Sequence, residues 1–73
     1  MLIIKEPNVI NLNMVTDFVK TGEKSMTFFF PYHCPTNECQ QGFTIVDFDT
    51  VLDRDEAFQK IIMRYDTENV VHI

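Results

Sequence analysis

The sequence predicts a small single α+β domain of order β-α-β-β-α-β. This is the split βαβ, ferredoxin-like arrangement: an antiparallel sheet with two helices on one face. Three observations predict it. Apolar residues alternate over Phe43–Phe48, they recur at helical spacing over Ala57–Tyr65, and turn-forming residues punctuate the chain between such runs. Seventy-three residues are enough for one compact domain over 1–73. A chain of this size buries only about 60% of the surface its unfolded form exposes, so its core is thin.

Leu2–Lys5 is short and rich in isoleucine. It reads as a strand that ends before Pro7, which lacks an N–H for a ladder. Asn11 or Asn13 is suited to cap a helix, and Leu12, Val15, Phe18 and Val19 then recur at helical spacing. Gly22 follows as a C-terminal stop, with Lys20 in the last turn, so the spacing predicts a first helix over 12–21.

Ser25–Tyr32 is rich in aromatic and β-branched residues and predicts a second strand, with Pro31 at its edge or end. Phe28, Phe30 and Tyr32 face one way and Phe29 the other, so both faces are apolar. The second face is expected to be an interface. Residues 34–42, with Pro, Asn and Gly, form a loop. The following strand, over 43–49, places Thr44, Val46 and Phe48 on one face and Phe43, Ile45, Asp47 and Asp49 on the other. It is expected to pair with 25–32 as an antiparallel hairpin.

Asp53 is expected to cap a second helix over about 53–65, with Glu56 reaching back from the third helical position. Ala57, Phe58, Ile61, Ile62 and Tyr65 form its apolar face, and Glu56 and Lys60 are spaced to pair. Met63 lies near the polar side and is expected to be exposed. Val70–Ile73 closes the chain as a short strand.

Eleven acids against six bases give a net charge of −5. A nucleic-acid binder needs a basic stripe to displace counterions from phosphates, and an anionic membrane surface would repel this chain as well. The electrostatically favoured partners are basic proteins and cations. No apolar run approaches the ~20 residues that span a membrane, and the N-terminus lacks a basic, leader-like start. Two cysteines are too few for a secreted disulfide scaffold. The expectation is a complete small gene product of the cytoplasm, the host cytoplasm if the chain is viral.

Charge is concentrated. Five acids fall within the ten positions Asp47–Glu56, with Arg54 the only base among them. The spacing D-x-D-x-x-x-D-x-D invites a calcium site, but Val51 and Leu52 occupy the positions where an EF-hand needs a ligand and a glycine. Helix-start chemistry accounts for Asp53, Asp55 and Glu56. It leaves Asp47 and Asp49, about 6.6 Å apart on one strand face.

His33, Cys34 and Cys39, with His72 as a fourth donor, are residue types that zinc uses. The C-x4-C spacing is not that of a zinc knuckle. His33 and Cys34 are adjacent on an extended segment, point to opposite faces and do not make a nucleophile–base pair. Two glycines exclude a phosphate-cradling loop.

These observations predict a non-enzymatic, acidic protein-binding domain with no cofactor or metal. A homodimer is expected, as is a basic, DNA-binding protein partner contacted by Asp47, Asp49, Asp53, Asp55 and Glu56. Size, acidity and the lack of a catalytic set are similar in character to phage-encoded inhibitors that mimic nucleic acid, with rows of carboxylates replacing phosphates. The alternative is a small ferredoxin-like ligand- or metal-binding module or enzyme subunit, using the open sheet face and the Cys34 loop.

Overall fold

The computed structural model describes residues 1–33 and 40–73. Among these described residues, six strands and one α-helix build two three-stranded sheets that share a core. Strands β1 (Leu2–Lys5), β2 (Asn8–Asn11) and β6 (Val70–His72) form the first sheet, in the order β2-β1-β6. Strands β3 (Asp17–Thr21), β4 (Ser25–His33) and β5 (Gln40–Asp47) form the second, in chain order. Helix α1 spans Val51–Arg64. The domain is therefore α+β as expected, but it is not the two-helix, single-sheet ferredoxin-like arrangement.

The correction lies in residues 8–21. Val9 and Ile10 alternate between solvent and core, and β2 pairs antiparallel with β1 across the two-residue turn Glu6–Pro7, whose peptide bond is cis. Asn11 does cap, its side chain accepting from the Asn13 N–H at 3.0 Å. What it caps is a single 3-10 turn over Leu12–Met14. The expected helix over 12–21 then gives way to β3. Val15, Thr16 and Val19 carry β-branches that lower helix propensity. The Phe18/Val19 pair also satisfies a two-residue period, with Phe18 toward the core and Val19 39% exposed. Gly22 adopts a left-handed conformation (φ +57°), in the hairpin turn between β3 and β4 rather than as the expected helix stop.

The β4–β5 pairing is the expected antiparallel hairpin. β4 is the central strand of its sheet, and Pro31 is accommodated at an irregularity. Phe29 faces Phe43 and Tyr32 faces Gln41, so two β4 residues oppose one on β5. Past Phe29 no β3 residue remains opposite, so Pro31 removes no ladder bond on that side. β6 runs parallel to β1, which makes the first sheet mixed. Its outward carbonyl at His72 accepts a hydrogen bond from Lys60 Nζ at 2.7 Å. That bond shields a free edge and uses the lysine expected to pair with Glu56.

The core lies between the inner faces of both sheets and α1. Ile3, Ile10, Leu12 and Val71 come from the first sheet and its linker. Met26, Phe28 and Val46 come from the second, Phe48 from the position just after β5, and Ala57 and Ile61 from the helix. Phe18 stacks on Phe28 with centroids 5.6 Å apart and meets Phe58 at 5.2 Å, joining β3 to α1. The buried stripe of α1 is Arg54, Ala57 and Ile61, flanked by half-buried Phe58. Ile62 and Tyr65, expected on that stripe, are exposed, Tyr65 lying at the C-cap beyond the last helical residue; Met63 is 70% exposed, as its position implied.

Candidate binding surface

The acidic segment forms the corner where β5 hands over to α1. Its geometry begins with Thr50. Thr50 has an extended backbone and its Oγ1 accepts from the Asp53 N–H at 3.0 Å, so it is the N-cap of α1. Asp53 is not the cap; it is the third residue of the first turn, where its charge suits the helix dipole. This three-residue shift frees Glu56 from a capping role and leaves it on the exposed face.

The five carboxylates then separate into two groups. Asp47 and Asp55 are engaged. Asp47 lies directly across from Ser25, whose hydroxyl donates to its Oδ1 at 2.6 Å. Asp55 Oδ1 is met by Arg54 Nε at 2.8 Å and Lys20 Nζ at 3.2 Å. Hydrogen bonds from Arg54 and then Lys20, with the charge of both, hold the Asp55 carboxyl below the ordinary carboxylate range. Asp49, Asp53 and Glu56 are exposed and have no ion pair among the described residues. Of the five sequence-predicted residues, the structure therefore leaves Asp49, Asp53 and Glu56 fully presented, Asp47 held in place, and Asp55 neutralised.

Two cations at this corner escape a reading along the chain. Arg54, the single base within the acidic run, is 8% exposed. It points inward, with Nη1 donating to the Ser25 carbonyl at 3.0 Å. Lys20 arrives from β3, with its ammonium also 5.1 Å from the Phe58 ring centroid. A two-residue period over 17–21 would have placed Phe18 and Lys20 on the same inward face; the helical assignment concealed it.

The outer face of the second sheet adjoins this corner. Its register sets Asp17, Phe29 and Phe43 in one row, Val19, Thr27 and Ile45 in the next, and Thr21, Ser25 and Asp47 in the third. Phe43 is 59% and Ile45 52% exposed. Phe29 was assigned to the second face from its position, and it lies there against Phe43, with centroids 6.3 Å apart.

The Cys34 and Cys39 positions and the side chain of His33 fall outside the described residues, while His72 is exposed on the first sheet. Among the described residues no three His, Cys, Asp or Glu side chains sit close enough to hold a metal ion. Among the described residues no helix is long and apolar enough to cross a membrane. No protein-family model, no curated protein and no solved structure matches the chain.

Proposed function

We propose that this chain is a non-enzymatic binding domain whose acidic corner engages a basic surface of another protein. In its most specific form it occludes the DNA-binding face of that protein by presenting carboxylates where phosphates would lie. The observation that carries the proposal is the exposure of Asp49, Asp53 and Glu56, which make no ion pair among the described residues, next to an Asp47 whose position Ser25 fixes. Such a group exerts a field on an approaching basic surface, accelerates encounter and loses strength as salt screens it. Asp55 drops out of the contact set because Arg54 and Lys20 already neutralise it.

The experiment is competition for DNA. A panel of purified basic DNA-binding proteins is challenged with the domain at several salt concentrations. At least one should release its DNA, less effectively as salt rises. The Asp49→Asn, Asp53→Asn, Glu56→Gln triple variant should then be about tenfold weaker, given the coupling that close charge pairs reach across interfaces. Inhibition that survives the triple substitution unchanged would show that the corner is not the contact.

A further inference from the structure

The outer face of the β3-β4-β5 sheet combines two properties. Its centre is apolar: Val19, Phe29, Phe43 and Ile45 surround Thr27, whose hydroxyl is satisfied by Thr21 at 2.8 Å. Beside them a shallow depression of about 440 Å³ is lined by Thr21, Thr27, Phe29, Phe43 and Ile45. Every charged strand position on this face is acidic: Asp17 in the first row, on β3, and Asp47 in the third, on β5. The inward-facing Lys20 belongs to the other side.

We infer that this face is the docking surface for an extended, basic segment of a partner protein, with an apolar side chain seated between Phe43 and Ile45 and cations reaching Asp17 and Asp47. The inference rests on the basic-partner reading above and adds to it where the partner lies and what its segment carries besides charge. Size favours a segment over a folded domain. Three rows and three strands span roughly 14 Å by 10 Å between outermost Cα positions, far below the ~800 Å² per partner of a standard interface. Charge selects the occupant. A second copy of this chain would bring carboxylates against carboxylates with no cation from the same face to meet them, and nucleic acid or an anionic membrane carries the wrong sign. Four residues of rise and two interstrand spacings separate Asp17 from Asp47 by roughly 17 Å. An extended segment with lysines four residues apart covers ~13 Å in its backbone, and the flexible lysine stems supply the remainder. The residue midway between those lysines points the same way, toward the apolar centre.

The pattern to test is therefore Lys-Ser-Phe-Ser-Lys. A labelled peptide repeating it twice is titrated against the domain, alongside the same peptide with each Phe replaced by Ser. The phenylalanine peptide should bind about tenfold more tightly, the scale set by burying one aromatic side chain. Phe43→Ser and Ile45→Ser are exposed positions that leave the core intact, and each should bring the two peptides within about twofold of each other. Asp17→Asn with Asp47→Asn removes the carboxylates that the lysines reach and should weaken both peptides alike; unchanged binding of both would overturn that placement. Equal binding of the two peptides by the wild type, or a phenylalanine preference that survives both serine variants, would overturn the sheet-face inference alone. Failure of both peptides to show salt-dependent binding would overturn it together with the basic-partner reading.

Discussion

Arg54 joins the first turn of α1 to the start of β4 through the Ser25 carbonyl, and holds Asp55 with its Nε. Its guanidinium donates in two fixed directions that an ammonium cannot reproduce, and its stem is buried. Arg54→Ala should cost about 2–3 kcal/mol in urea unfolding, from a lost charge-assisted bond and packing around the stem. Arg54→Lys should recover less than half of that. Asp55 gives the companion pH prediction. Its folded-state carboxyl is held below the ordinary range by Arg54 and Lys20, so the pairing adds stability above the unfolded value and loses it as pH falls through the folded one. The stability difference between the wild type and Asp55→Asn should be present at neutral pH and shrink below about pH 4, as unfolding curves across that range would show. An acid at 55 was visible in the sequence. Its neutralisation was not, because Lys20 lies thirty-five positions away and only the strand assignment of 17–21 brings it near.

At the scale of elements, α1 and β3 carry different lessons. The alternation over 43–48 was sufficient to sort the faces of β5 and the residue after it, with Val46 and Phe48 buried and Phe43, Ile45 and Asp47 outside. The helix was legible in its extent but not in its start. Both Thr50 and Asp53 are good caps, and the choice depends on where Phe48 must enter the core before the chain can turn. Thr50→Ala should cost about 1 kcal/mol and Asp53→Ala clearly less, measured as shifts in the urea midpoint; the reverse order would restore Asp53 as the cap. Residues 12–21 satisfied helical and strand periods at once. The hairpin partner, Ser25–Phe29, settles the matter through pairing, which is a tertiary effect no local pattern contains. In the sequence Gly22 reads as a helix stop; the fold uses its left-handed backbone in the β3–β4 turn instead. Gly22→Ala should destabilise the β3–β4 hairpin by about 1 kcal/mol, seen in thermal unfolding.

Across the whole molecule the two signs of charge are used differently. Lys5 lies 5.3 Å from the Phe48 ring centroid, Lys20 and Arg54 hold Asp55, Lys60 caps the β6 edge and Arg64 pairs with Glu68 at 3.4 Å. Only Lys24 among the six bases has no contact of this kind among the described residues. The acids are the surplus, and Asp49, Asp53 and Glu56 show it at the surface. Composition revealed the excess of negative charge; the fold determines that Arg54 is buried, that most of the other bases are engaged by neighbouring groups, and that an apolar sheet face lies beside the exposed acids. Two-dimensional amide NMR of the domain titrated with the Lys-Ser-Phe-Ser-Lys repeat reads both surfaces in one experiment. Shifts should concentrate at Asp17, Val19, Thr27, Phe43, Ile45 and Asp47 and at Asp49 and Asp53. Shifts confined instead to Leu2, Val9 and Val70 on the first sheet, or to Gln59 and Met63 on α1, would contradict the proposed binding surface.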